Sequence, residues 1–209
     1  MLTDAFLPPL VAILRGLDAG DAPAVGRALL DAGFRLLEVP LNRPGALDCI
    51  AVLARLAPPD AIVGGGTMLT PADVDAVHAA GGRMMVAPNC DPAVIARARG
   101  LGMLCAPGIA TPTEAFVALR SGAHLLKIFP AEIIGTAGLK ALASVLPAGT
   151  GLWPVGGIAP ESLDGWVRAG ATGFGIGSQL YRPGSSAGTV GRRARDFIAA
   201  WDDIRPSTA

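Results

Sequence analysis

Lys127 stands in the stretch Ala123-His-Leu-Leu-Lys-Ile-Phe-Pro-Ala-Glu132, flanked by Leu126, Ile128 and Phe129. An ammonium in apolar surroundings loses hydration, which disfavours its charged form and lowers its pKa, in catalytic cases from about 10.4 toward about 7–8. The neutral amine is a nucleophile, and with a carbonyl compound it forms a Schiff base. Read alone, the same lysine also fits a strand end whose ammonium snorkels to solvent. The groups that accompany it must decide between the two.

A second chemical group is Glu38, in Leu36-Leu-Glu-Val-Pro-Leu-Asn42. Side chains alternate along a strand, so Leu36 and Glu38 share one face and Leu37 and Val39 the other. Facing inward, Glu38 can act as general acid/base, moving protons as a carbinolamine dehydrates and a carbon–carbon bond breaks. Its alternative is a structural salt bridge to Arg15 or Lys127. Arg15 can fork onto a carboxylate, with the Thr67 hydroxyl and the N–H groups of Gly64-Gly-Gly-Thr67 sharing the anion, or it can form an ion pair at the rim. Val155-Gly-Gly-Ile158 and Gly175-Ile-Gly-Ser178 are two glycine turns whose N–H groups can approach an anion closely. Together, Gly156, Gly157, Gly177 and Ser178 point to a phosphate site; either turn alone fits an ordinary tight turn. The two histidines, His78 and His124, fall in a helical segment and at a strand start, so no metal site is expected.

The elements that must position these groups follow one rhythm, a short apolar strand, a break of Gly, Pro, Asn or Thr, and an alanine-rich amphipathic segment. Strands are expected at Leu10–Leu14, Leu36–Val39, Ala61–Val63, Met84–Val86, Met103–Cys105, Ala123–Ile128, Leu152–Val155 and Gly173–Ile176. Helices are expected at Asp21–Asp31, Ala46–Leu56, Ala72–Ala80, Pro92–Arg99, Thr113–Leu119, Leu139–Leu146, Glu161–Ala169 and Val190–Trp201. Consecutive apolar positions mark strands buried on both faces, as in a parallel sheet with helical crossovers. Thr70-Pro71, Asp91-Pro92, Thr111-Pro112 and Ala159-Pro160 start helices, and Gly33, Gly81, Gly100, Gly122 and Gly170 end them. Eight such units predict a single-domain α/β fold, a closed (β/α)8 or TIM barrel over residues 1–204 with a short tail at 205–209. An open doubly wound sheet would carry a Gly-rich fingerprint after its first strand, where Leu14-Arg-Gly-Leu-Asp stands instead. In a barrel the strand-to-helix junctions hold the chemistry, which adds Asn42, Pro88, Asn89 and Pro107 to the groups above.

Composition bounds the partners. The 209 residues suit one buried core, and 17 basic against 17 acidic residues leave no net field toward nucleic acid or an anionic membrane. Charged residues are 16% of the chain, against about 25% in an average domain, which predicts a buried subunit interface. Three cysteines, Cys49, Cys90 and Cys105, form neither a disulfide framework nor a C-x-x-C pair, in keeping with a cytoplasmic protein. The apolar run Ala5–Leu14 contains Pro8-Pro9 and lacks a basic residue ahead of it, unlike a signal peptide, and no run approaches the ~20 residues of a membrane span.

Ala12-Ile-Leu-Arg-Gly16, Leu37-Glu-Val-Pro-Leu-Asn42, Gly64-Gly-Gly-Thr67, Lys127-Ile-Phe-Pro130, Val155-Gly-Gly-Ile158 and Gly177-Ser-Gln-Leu-Tyr-Arg182, in that order and spacing, resemble the class I 2-keto-3-deoxy-6-phospho-sugar-acid aldolases. The resemblance implies that Lys127 is the Schiff-base lysine, Glu38 the proton shuttle, Arg15 and Thr67 ligands of the substrate carboxylate, and Gly156, Gly157, Gly177 and Ser178 the phosphate cradle. It places Asn42, Pro88, Phe129 and Val155 among the substrate-binding residues, and it implies a homotrimer with no metal or organic cofactor. Gluconate-type members commonly carry an arginine four residues after the glutamate and a threonine before the Gly-Gly turn. Here those positions hold Asn42 and Val155, which resembles the galactonate branch. Arg43 is unusual for either pattern, and Gly65 replaces a more usual alanine.

The implied reaction is reversible cleavage of 2-dehydro-3-deoxy-6-phosphogalactonate to pyruvate and glyceraldehyde 3-phosphate. The same machinery fits a 2-dehydro-3-deoxy-6-phosphogluconate or 4-hydroxy-2-oxoglutarate aldolase. A non-catalytic barrel that senses sugar phosphates is the alternative from another class, and it has no need of a lysine facing a glutamate.

Overall fold

The structure is a computed structural model that describes residues 8–204; the expected tail at 205–209 lies outside the described residues. In chain order the elements are β1 (Leu10–Ile13), α1 (Ala22–Asp31), β2 (Leu36–Pro40), α2 (Ala46–Leu56), β3 (Ile62–Gly66), α3 (Pro71–Ala79), β4 (Met84–Val86), α4 (Pro92–Gly100) and β5 (Leu104–Ala106). They continue with β6 (Gly108–Ile109), α5 (Pro112–Arg120), β7 (Leu125–Ile128), α6 (Ala131–Ala143), β8 (Gly151–Pro154), a 3-10 turn at Pro160–Ser162, α7 (Leu163–Arg168), β9 (Phe174–Ile176) and α8 (Ala187–Ile204).

Capping chemistry fixes several helix starts. Thr70 and Thr111 each accept a hydrogen bond from the backbone N–H three residues on, while Asp73 and Glu114 reach back to the cap, a reciprocal box that satisfies two otherwise orphaned donors. Asp91 accepts from the N–H groups of Ala93 and Val94. Pro71, Pro92 and Pro112 occupy the first helical position, where a missing N–H costs nothing. Gly100 is the last helical residue of α4, and it is Gly102, at φ 70°, that makes the left-handed turn.

The closed eight-stranded barrel is not what forms. All the pairings are parallel, but the strands divide into a sheet ordered β5-β4-β3-β2-β1-β9 and a separate sheet ordered β6-β7-β8. Pro107 stands at one seam. It lacks an N–H donor and separates β5, which pairs with β4, from β6, which pairs with β7 and lies beyond the expected fifth strand Met103–Cys105. At the other seam β8 ends in Pro154, and only an isolated bridge between Val155 and Gly175 reaches β9. There the Thr172 hydroxyl oxygen, rather than a ladder carbonyl, accepts from the Leu152 N–H at 3.1 Å.

Two apolar cores result. The larger lies between sheets and helices and includes Leu37, Val39, Leu126 and Ile128. The smaller, enclosed by the strands, contains Val11, Ile13, Leu36, Met84, Leu104, Leu125 and Trp153. Alternation along each strand therefore puts Glu38, two residues after Leu36, and Lys127, two residues after Leu125, on the inner side. The register Ile13↔Glu38↔Gly64↔Met84 sets Glu38 in this layer, and Gly108↔Lys127↔Trp153 sets the lysine in the other sheet.

Candidate active site

Glu38 and Lys127 are the buried charged side chains among the described residues, at 2% and 8% exposure. Burial raises the Glu38 pKa above the ordinary carboxylate range, with Lys127 and then Arg15 acting against it. Burial lowers the Lys127 pKa below that of an ordinary lysine; Glu38 opposes this, and Arg15 adds to it. Each group thus moves toward its neutral form, the amine that attacks a carbonyl and the acid that donates a proton. Glu38 Oε2 is buried without a hydrogen-bond partner, which costs about 1–3 kcal/mol or more for such a group. With no partner in the fold, Oε2 can meet a bound molecule as donor or acceptor, according to its protonation. The structural salt bridge weighed for Glu38 therefore does not account for this oxygen.

Room for the carboxylate comes from Gly66. A Cβ built there would stand 2.9 Å from Glu38 Cγ and would overlap the carboxyl group itself. Beyond it, Thr67 has φ 54°, a left-handed conformation that a β-branched residue rarely adopts and that costs on the order of 1–3 kcal/mol. Lys127 Nζ lies 4.7 Å from the centroid of the Phe129 ring, so the amine sits beneath an aromatic face.

Phe129 is also part of the wall of a cavity of about 520 Å³ at the C-terminal ends of the strands. Arg15, Val155, Gly156, Gly157, Gly177 and Ser178 line it as well, so the structure brings both glycine turns and the arginine to one space. Gly156 and Gly157 have φ 117° and 64°, conformations that only glycine takes without strain. Asn42, Thr67 and Pro88 follow β2, β3 and β4 on the same side of the fold but do not line this cavity, and neither do the buried Glu38 and Lys127, whose amine meets the wall residue Phe129. Polar lining residues that the sequence reading did not assign are Arg43, Glu132, Gln179, Tyr181 and Arg182. Arg43 and Arg182 are exposed, and Arg182 Nε donates to the Ser178 carbonyl at 3.0 Å. The motif ending in Arg182 was a signal for that residue, whereas nothing in the spacing distinguished Glu132.

The histidines lie elsewhere. His124 Nδ1 accepts from the Cys105 N–H at 2.9 Å, its other ring nitrogen meets Arg99, and burial and Arg99 lower its pKa. Among the described residues, no group of three or more His, Cys, Asp or Glu is placed to hold a metal ion. No helix there is long and apolar enough to cross a membrane.

The 2-dehydro-3-deoxy-6-phosphogalactonate aldolase of Escherichia coli (strain K12) is 44% identical to this chain over 193 residues, 92% of this chain and 94% of that protein. The 2-dehydro-3-deoxy-phosphogluconate aldolase of Treponema pallidum (strain Nichols) is 38% identical over 148 residues, 70% of each. A solved structure described as native KDPGal superposes with a TM-score of 0.92 at 43% identity, covering 95% of this chain and 96% of the other. The family model for KDPG and KHG aldolases matches residues 5–188, and the chain belongs to that family of carbon–carbon lyases.

Proposed function

We propose that the chain cleaves 2-dehydro-3-deoxy-6-phosphogalactonate reversibly to pyruvate and glyceraldehyde 3-phosphate, with Lys127 as the covalent nucleophile. The observation that carries this reading is the buried Lys127 coupled to a buried Glu38 whose Oε2 has no partner. The neutral amine attacks C2 of the keto acid to form a carbinolamine, and loss of water, with Glu38 supplying the proton, gives the iminium. The C3–C4 bond then breaks, its electron pair moving into the iminium to leave an enamine, while Glu38, directly or through water, takes the C4 hydroxyl proton. Protonation of the enamine at C3 and hydrolysis release pyruvate and restore the amine. The iminium nitrogen is the electron sink, so these steps balance with no cofactor.

Arg15, lining the cavity and coupled to both charges, is assigned to the substrate carboxylate together with Thr67. Gly156, Gly157, Gly177 and Ser178 are assigned to the phosphate, and Phe129 and Val155 to the reacting carbons between. Asn42 and Pro88, which follow β2 and β4 on the same side of the fold, are assigned to substrate binding as well. Oligomerisation into a homotrimer fits the exposed Leu69, Phe116, Ile133 and Val145 on a chain with 16% charged residues, and the cytoplasm is its assigned place. Light scattering after size exclusion measures the oligomer.

Borohydride reduction in the presence of pyruvate tests the central claim. A mass gain of one reduced pyruvate adduct, mapped to Lys127, is expected; no adduct, or one at another residue, overturns the assignment. Parallel kcat/KM values for the galactonate and gluconate substrates decide the epimer, and a parent that prefers the gluconate epimer overturns the galactonate assignment.

A further inference from the structure

The cavity holds one carboxylate to which the reaction above gives no role. Glu132 is the second residue of α6, whose start is tied to the site by a hydrogen bond from the Ala131 N–H to the Val155 carbonyl at 3.0 Å. From there its side chain reaches back over the glycine turn. Its Cδ stands 2.8 Å from where a Cβ on Gly156 would be, and its Cγ 2.8 Å from a Cβ on Gly157. The absence of side chains at both glycines thus makes room for Glu132 as well as for an anion. Glu132 is exposed and is the acidic residue of the first turn of α6, where the helix start favours a negative charge, and no hydrogen bond or ion pair to a described residue holds its carboxylate, although Arg15, Arg43 and Arg182 line the same cavity.

On the proposed reading a substrate joined to Lys127, with its phosphate at the two glycine turns, spans the part of the cavity between Phe129, which meets the amine, and the turns, a stretch that Val155 and Glu132 also line. The group it carries there is the hydroxyl on C5, between the reacting C4 and the phosphate-bearing C6. We propose that Glu132 accepts a hydrogen bond from this C5 hydroxyl and so selects aldehydes with a hydroxyl next to the carbonyl, a selection that rests on the reading under Proposed function. A hydroxyl paired with a carboxylate makes one of the stronger hydrogen bonds available to a substrate, and without it the carboxylate must be desolvated for nothing. Val155 supplies only an apolar wall, so Glu132 is the polar determinant at this point of the cavity.

The test is condensation of pyruvate with glyceraldehyde 3-phosphate and with 3-oxopropyl phosphate, which has the same chain length and lacks the hydroxyl. The parent is expected to prefer the hydroxylated aldehyde in kcat/KM by about tenfold to a hundredfold. Glu132→Ala should bring the ratio close to one by losing activity on glyceraldehyde 3-phosphate, and Glu132→Gln, which keeps a carbonyl acceptor, should be intermediate. Equal gains on both aldehydes would make Glu132 a charge that repels phosphate, and equal losses would make it a support for the glycine turn; either overturns the proposal. Borohydride trapping of pyruvate on the parent separates the two claims. A parent that does not trap sinks the Schiff-base reading, whereas one that traps and shows no preference sinks only the role of Glu132.

Discussion

The Glu38 carboxyl group fills the space that a side chain at Gly66 would take. The two residues lie on adjacent strands, with Gly66 beside Pro40, so the third glycine of Gly64-Gly65-Gly66 serves the acid on the neighbouring strand. Gly66→Ala must displace Glu38, and turnover should fall by about 10²–10⁴-fold, as for loss of the acid/base itself. Gly65→Ala is the contrast, since its Cβ would meet Val77 Cγ2 at 2.6 Å in the outer core. It should cost about 1–3 kcal/mol of stability through overpacking while pyruvate trapping survives. Denaturant midpoints and turnover of the two variants check this, and equal turnover in both would remove the special place of Gly66.

Glu38 also predicts a stability signature. Its pKa is higher in the fold than the ordinary 4.5, so the native state binds the proton more tightly than the unfolded chain. That contribution is complete below the unfolded value and is lost as pH rises through the folded one. Glu38→Gln cannot ionise, so it should gain stability relative to the parent as pH is raised from 4 toward 8, by about 1.4 kcal/mol for each unit of folded-state shift. Melting curves at several pH values measure the difference, and a gap that widens toward acid pH contradicts the sign.

Lys127 attack needs the free amine, so cyanoborohydride trapping of pyruvate should rise with pH through the Lys127 pKa, which burial sets below the ordinary 10.5. Glu38 is the group that raises this pKa and Arg15 one that lowers it. Glu38→Gln should therefore move the rise to lower pH and Arg15→Gln to higher pH, while Lys127→Met traps nothing at any pH. Shifts of the same sign, or none, would show that the three groups are not coupled through one site.

The glycine turns separate steric strain from anion approach. Gly157→Ala suffers twice, from φ 64° and from Glu132 Cγ at 2.8 Å, so its defect will mix misfolding with lost binding. Gly177 has nothing within 4 Å of its absent side chain, and its φ is not positive. Gly177→Val should therefore leave the melting temperature nearly unchanged and raise KM for phosphorylated substrates well above that for non-phosphorylated analogues. Equal increases for both would take Gly177 out of the phosphate site.

Most strands and helix starts were legible because their signals are local: apolar runs of a few residues, Thr-Pro and Asp-Pro starts, and alternation that put Glu38 on the face of Leu36, which the fold turns inward. The closed barrel was not, because closure depends on pairing between distant strands, and Pro107, which lacks a donor, stands between β5 and β6, which pair in different sheets. The start of α6 was missed for a related reason. The helical pattern becomes apolar and periodic at Leu139, whereas the first turn at Ala131 is held by the Val155 carbonyl and broken from the rest at Gly135, φ 66°. That hidden turn is where Glu132 enters the cavity. Arg43 stood out by its type, but only packing shows that it lines the cavity while Asn42 beside it does not.

Val155 gives the last prediction. It lines the cavity one residue past β8, its N–H bonded to the Ile128 carbonyl at 3.0 Å, so its side chain is held close to the strand that carries Lys127. The two candidate substrates differ in the orientation of the C4 hydroxyl, and a valine can select between them only by shape. An apolar wall discriminates by about 1–3 kcal/mol, or roughly 10–200-fold, whereas a site that hydrogen-bonds a hydroxyl reaches far higher. A moderate preference for the galactonate epimer, with measurable activity on both, is therefore expected. Val155→Thr places a hydroxyl where a methyl stood and offers a hydrogen bond to the other epimer, at some cost in packing. The ratio of kcat/KM for the two epimers should narrow or reverse while pyruvate trapping persists. An unchanged ratio would mean that Val155 does not set the preference, and the choice of epimer would then have to come from residues on the opposite wall of the cavity.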